Sequence, residues 1–180
     1  LHNRIFDTLD IFYLTKINFI RTSQFKKEYF PNNSEFLTTI EGKLARGKLS
    51  KVNELLTENL KNLNDIELLL LKDLFYTYNG ELEDSLELTE KIILKHPDEY
   101  IGYLFQSITY FFMGKLNRAL DAIESGLSRT YNVSLIAQKT QILINLDHDK
   151  ALGVVEEALA ESPDNFLLQR TKFLCLLTDK

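Results

Sequence analysis

Little in this chain could cross-link it, kink it or turn it sharply. Its 180 residues include one cysteine, three prolines, seven glycines, one methionine and no tryptophan. A single cysteine, Cys175, excludes an internal disulfide framework and a cysteine-based zinc site. So few Gly and Pro residues leave too few turn formers for a many-stranded β-sandwich or barrel. Excess positive charge is also missing, since 21 Lys and Arg stand against 26 Asp and Glu for a net charge of −5. Phosphate binding needs clustered cations, so no nucleic-acid partner is expected. No apolar run reaches the roughly 18 residues of a membrane span. The most apolar stretch, residues 66–75, is interrupted by Glu67, Lys72 and Asp73, so no membrane insertion is expected. What remains, 44% hydrophobic and 26% charged residues, is the composition of a globular protein long enough to bury a core. The chain begins at Leu1 rather than Met and stops within an apolar pattern, which reads as a fragment or a processed chain.

Internal repetition comes next, because it decides the architecture. Gly47, Gly80 and Gly114 are spaced by 33 and 34 residues, and each has a leucine two residues on (Leu49, Leu82, Leu116). Eleven residues before them stand Phe36, Leu69 and Tyr103, and five residues after them the small or short Val52, Ser85 and Ala119. Tyr76 and Tyr110 precede the second and third glycines by four, where the first has Lys43. The intervening segments carry helical periodicity. Leu69, Leu70, Leu74 and Tyr76 form a stripe spaced by three and four, with Asp73 as its one break. Glu81, Glu83 and Asp84 open the next helix, where the dipole favours acids. Gly80 and Gly114 end helices, where a left-handed cap is least costly for glycine. Pro97 closes a unit and Asp98 follows at the next helix start. The unit is therefore helix, tight turn, helix, turn.

Taken together these residues resemble a tetratricopeptide repeat array. The best unit, residues 100–131, carries Tyr103, Tyr110, Gly114, Leu116, Ala119, Ile123 and Gly126 in the family's pattern. Residues 66–99 match through Leu69, Tyr76, Gly80, Leu82, Ser85, Ile92 and Pro97, and residues 33–65 match less fully, with Lys43 and Asn59 at two key places. A fourth unit, residues 132–165, is anchored by Ala151, Ala158 and Pro163 but has Leu146-Asp147-His148-Asp149 where the turn glycine would stand. A terminal helix in residues 166–180 would open a fifth. The resemblance covers residues 33–180 and implies an all-α fold, a right-handed superhelix of antiparallel helix pairs. Residues 1–32 read as a divergent or partial repeat. There Phe6, Leu9, Tyr13, Ile17 and Ile20 share a helical face, with a break at Thr22-Ser23 and a turn at Pro31-Asn32-Asn33.

Residues able to carry chemistry are sparse. No phosphate-cradling or dinucleotide fingerprint is present, and the three histidines are far apart in sequence. His96 sits before Pro97 in an expected turn. Asp147, His148 and Asp149 could ligate a metal, but the same letters suit a polar turn whose aspartate caps the next helix. Cys175, between Leu174 and Leu176, reads as a packed thiol with no base in its local sequence. The carboxylates Glu81, Glu83, Asp84, Glu87 and Glu90, like Glu156, Glu157 and Glu161, read as helix starts and solvated faces. Two glycosylation-type triplets, Asn32-Asn33-Ser34 and Asn132-Val133-Ser134, are discounted without a sign of secretion. The expectation is a non-enzymatic, cytoplasmic protein with no cofactor and no metal.

The resemblance implies a concave groove lined by the first helix of each unit. Its positions here are Glu67, Leu70, Leu74, Thr77 and Tyr78 in one unit and Ile101, Leu104, Ile108, Phe111 and Phe112 in the next. The family's chain-terminal carboxylate clamp uses Lys, Asn and Arg at such places. Here they are mostly apolar, which suits a hydrophobic peptide or helix instead. The expected partner groove is thus Leu70, Leu74, Tyr78, Leu104, Ile108, Phe111 and Phe112, although the same side chains could simply be core. Phe111 and Phe112 are adjacent, about 100° apart on a helix, so they do not face one core layer together. Phe173, Leu174 and Leu177 form a candidate edge interface for a further chain or a second copy. The function expected is a protein-binding scaffold or adaptor. Alternatives are a structural subunit of a transport or coat-type assembly that uses its edges, and the non-catalytic repeat part of a longer enzyme.

Overall fold

The structure is a computed structural model and describes residues 15–178. It is all-helical, with no strand among the described residues. Eleven α-helices follow one another there: α1 Lys16–Ile20, α2 Ser23–Tyr29, α3 Ser34–Leu44, α4 Leu49–Asn59, α5 Asp65–Asn79, α6 Leu82–Lys95, α7 Tyr100–Phe112, α8 Leu116–Leu127, α9 Val133–Leu146, α10 His148–Glu161 and α11 Phe166–Leu177.

Three turns, α3–α4, α5–α6 and α7–α8, are built identically. Gly47, Gly80 and Gly114 have φ of 64°, 82° and 71°, the left-handed region that a Cβ disfavours. Each glycine amide donates three residues back, to Leu44, Thr77 and Phe111 (2.9, 3.3 and 3.0 Å). The next amide donates five residues back: Lys48 to Lys43, Glu81 to Tyr76 and Lys115 to Tyr110 (2.9, 3.0 and 2.9 Å). This is the Schellman closure, which satisfies the last carbonyls of one helix before the next begins. All three following helices then start at the leucine two residues past the glycine. The fourth turn, between α9 and α10, works without glycine. Asp147 is extended there (φ −161°), and its carboxylate accepts the Lys150 amide at 3.1 Å as an N-cap.

The described residues form two compact units, one of residues 16–97 and one built on residues 98–178. In the first, α1 packs on α2, α2 on α3, α3 on α4 and α5, and α5 on α6. Thr22 separates α1 from α2 by accepting the Phe25 amide on its hydroxyl at 3.2 Å. The fully buried Phe25 ring lies 5.4 Å from Phe19, 5.1 Å from Tyr29 and 5.8 Å from Phe30, spacings at which aromatic quadrupoles attract. Ile17 and Ile20 of the expected N-terminal stripe are buried, whereas Phe6, Leu9 and Tyr13 lie outside the described residues. Helix α5 opens with a capping box, Asn64 accepting the Glu67 amide (2.9 Å) while the Glu67 carboxylate accepts the Asn64 amide (2.8 Å).

In the second unit α7 pairs with α8, α9 packs on α7, α8 and α10, and α11 lies on α9 and α10. Its interior includes Leu143, Ala151 and Cys175 in one cluster and Val155, Ala158 and Leu168 in another. Contact between α7, α8 and α9 is close enough to require glycine at residue 126. A Cβ there would meet Tyr103 Cβ at 2.9 Å and Leu135 Cδ1 at 3.1 Å. Because Tyr103 Cβ is fixed to the backbone, the helices themselves would have to part. Gly126→Ala is therefore expected to destabilise: overpacking costs about 1–3 kcal/mol, against about 1 kcal/mol gained in helix propensity. Thermal unfolding should report a lower Tm than that of Gly153→Ala, whose Cβ would meet nothing within 4 Å.

Candidate functional site

The positions expected to line a groove do not share one environment. Leu70, Leu74 and Leu104 have no exposed surface and Ile108 is 1% exposed. All four are buried side chains rather than open groove surface. Glu67 is buried too, held by the capping box and by the Asn33 amide, which donates to both its oxygens at 3.0 Å. Tyr78 and Phe111 are half-buried, and Phe112 is exposed. Its ring centroid lies 6.3 Å from that of Phe111, edge to face. The open part of the expected groove in the unit of residues 98–178 is therefore the end of α7.

The unit of residues 16–97 encloses a cluster that the sequence reading left unassigned. Lys16, with no exposed side-chain surface, donates from Nζ to both Asp73 oxygens (2.8 and 2.7 Å), to Thr77 Oγ1 (2.9 Å) and to Ser85 Oγ (3.0 Å). Ser85 in turn donates to Asp73 Oδ1 (2.6 Å), and Thr77 donates to the Asp73 carbonyl (2.8 Å). Every ammonium proton has a receiver, and both hydroxyls can accept from lysine because each gives its own proton elsewhere. Burial pushes Lys16 down and Asp73 up, each towards its neutral form, while their mutual attraction and hydrogen bonds pull both back. A lysine with lowered pKa beside a serine has the ingredients of a nucleophile pair. Here, however, the serine proton points to Asp73, and Lys16, Asp73 and Ser85 are buried, so the cluster positions helices.

In the other unit Cys175 does have a histidine beside it, from 27 residues away. His148 Nε2 lies 3.9 Å from Cys175 Sγ, but also 2.8 Å from the Cys175 carbonyl oxygen. A carbonyl only accepts, so Nε2 carries a proton and cannot take one from the thiol. The thiol is fully buried against Leu143 and Ala151, as a packed side chain is. Asp147 is occupied as a cap, and among the described residues no group of three or more His, Cys, Asp and Glu is placed to hold a metal ion.

On α11 the expected edge divides. Phe173 and Leu177 are 54% and 57% exposed, and Phe166 and Leu176 join them. Leu174 is 4% exposed and belongs to the interior with Cys175, because α11 turns Leu168, Thr171, Leu174 and Cys175 towards its own unit. Arg170 lies between the exposed aromatics. Its Nε is buried with no hydrogen-bond partner, and desolvation pulls its guanidinium below the ordinary value.

No family model, curated protein or solved structure matches this chain. Among the described residues, the end of α7 and the outer face of α11 both present exposed aromatic side chains. No described helix is long and apolar enough to cross a membrane. The residues that sequence reasoning passed over each left a trace, a lone charge in an apolar stripe: Asp73 among Leu69, Leu70, Leu71 and Leu74, Lys16 beside Ile17, and Arg170 between Phe166 and Phe173.

The buried cluster makes a direct prediction. Asp73→Ala strands the Lys16 charge, and such stranding costs about 3–5 kcal/mol. Replacing the group together, as Lys16→Met/Asp73→Leu/Ser85→Ala, should return stability to within about 1 kcal/mol of the starting protein, because a well-packed apolar substitute is often neutral. Urea unfolding of the single and triple variants reads the difference.

Proposed function

We propose that this protein is a helical-repeat module of the tetratricopeptide kind, a right-handed superhelix of antiparallel helix pairs that binds a protein partner and performs no chemistry of its own. The observation that carries this reading is the thrice-repeated turn: the same two hydrogen bonds around a left-handed glycine, at a spacing of 33 and 34 residues. The residues five positions after those glycines, Val52, Ser85 and Ala119, are all fully buried, as close-packed helix pairs require. Repeat arrays of this type bury their interior between neighbours and leave the exposed faces for partners.

Within the unit of residues 98–178, partner contact is best supported at Phe112. It is 42% exposed, stands two residues before Gly114 and is backed by the Phe111 ring. An exposed aromatic on a rigid support loses little entropy on binding, which is why such residues dominate interface energies. A second reading, a structural subunit of a larger assembly, is favoured by the exposed apolar face of α11.

Affinity capture with mass spectrometry, run on the intact protein and on Phe112→Glu side by side, tests the reading. The variant should lose a partner that the intact protein retains, with stability changed by no more than about 0.5 kcal/mol, as for an ordinary surface substitution. Unaltered capture would remove Phe112 from the binding surface, and a large fall in Tm would make it core.

A further inference from the structure

Helix α11 is apolar on both sides. One side, Leu168, Thr171, Leu174 and Cys175, packs into its unit against α9 and α10. The opposite side carries Phe166, Phe173 and Leu177, spaced by seven and four residues and therefore aligned in one stripe. Their exposures are 76%, 54% and 57%. A surface helix of a globular protein normally turns charge outwards, and one that is hydrophobic all round is normally covered.

Arg170 gives this face a sign. Its neighbours at three and four residues along the helix are Phe166, Leu167, Phe173 and Leu174, none of which can pair with a guanidinium. Its Nε is already out of solvent and makes no hydrogen bond, so a donor has been desolvated without return. The other charge on the helix, Lys172, is paired with Glu156 at 2.8 Å. Helix α11 contains no Asp or Glu at all. Stacking α11 on α11 of a second copy would therefore set cation against cation and still leave Arg170 without a carboxylate. The complementary surface is apolar and acidic.

We propose that the outer face of α11 docks an amphipathic helix of a partner protein, with apolar side chains seated on Phe166, Phe173 and Leu177 and a Glu or Asp carboxylate paired with Arg170. A helix suits the site because this unit already buries the other side of α11 by laying it on α9 and α10. Pairing would give the guanidinium a charge-assisted, planar partner, the geometry in which arginine exceeds lysine. The proposal rests on the interaction-module reading and names a partner chemistry for it.

A fluorescent peptide of about 18 residues, long enough to be helical, serves as probe, with Leu at heptad a and d positions and Glu on either side. A matched control peptide has Lys at every Glu. Anisotropy titration of the full chain should show saturable binding of the acidic peptide and none of the basic one. Arg170→Gln should weaken it about tenfold or more, the scale of a hydrogen bond to a charged group. Phe173→Glu should abolish binding with helical content unchanged. Absence of acidic-peptide binding, or equal binding of the two peptides, overturns the proposal. So does a dimer in sedimentation that Phe173→Glu makes monomeric, since a second copy would then occupy the face. Repeating the capture with Phe173→Glu separates the two levels. If Phe112→Glu loses a partner that Phe173→Glu retains, the module reading stands and the α11 site falls.

Discussion

The unit of residues 16–97 depends on one contact, the ion pair between Lys16 and Asp73 with neither side chain exposed. Moving two charges out of water is unfavourable unless each gains a nearly complete set of partners. That requirement ties three elements together, since the lysine comes from α1, Asp73 and Thr77 from α5, and Ser85 from α6. An apolar side chain at residue 16 could slide by a turn and still be buried. An ammonium with three proton positions to satisfy cannot. The pair therefore serves the uniqueness of helix placement more than net stability, and it does so across 57 residues of chain.

The same register recurs in the other hairpins with different chemistry. Asp73 and Ser85 face each other across the α5–α6 turn, and adding 34 to each number gives Ser107 and Ala119 across the α7–α8 turn. There the Ser107 hydroxyl donates to the Ala119 carbonyl at 2.9 Å, with both residues fully buried. Subtracting 33 gives Ile40 and Val52, both fully buried and apolar. One interior position pair thus holds two buried apolar residues, an ionic cluster and a neutral hydrogen bond in three successive hairpins. The turn sets the register, and the register leaves the side chains free to vary so long as each buried polar group is satisfied.

That division explains what could be read from the letters. The three glycine turns were legible because positive φ is a local demand that only glycine meets cheaply. The Thr22 break and the Asp147 cap were legible for similar reasons, since each is decided within four or five residues. The buried pair was visible only as a fault, Asp73 interrupting a leucine stripe, because its partner is supplied by tertiary packing. Periodicity likewise marked Leu70, Leu74, Leu104 and Ile108 as apolar helix positions without saying whether they are open or covered, and all four are buried. Leu174 failed for the same reason: it adjoins the exposed Phe173 in sequence but lies 100° around the helix, on the inward side.

Lone charges in apolar stripes then become informative by how they are resolved. Lys16 and Asp73 resolve each other inside one unit, each receiving the other's charge at hydrogen-bond distance. Arg170 is the contrasting case, a cation whose Nε is desolvated and met by no acceptor. A fold selected for stability alone has a simple remedy, an acid one turn away or an aliphatic residue in place of the arginine. Neither is used, and aromatic residues occupy the flanking positions instead. Unsatisfied polarity set within exposed apolar surface raises the free energy of the isolated protein and lowers it on association. That is the physical argument behind the docking proposed for the outer face of α11.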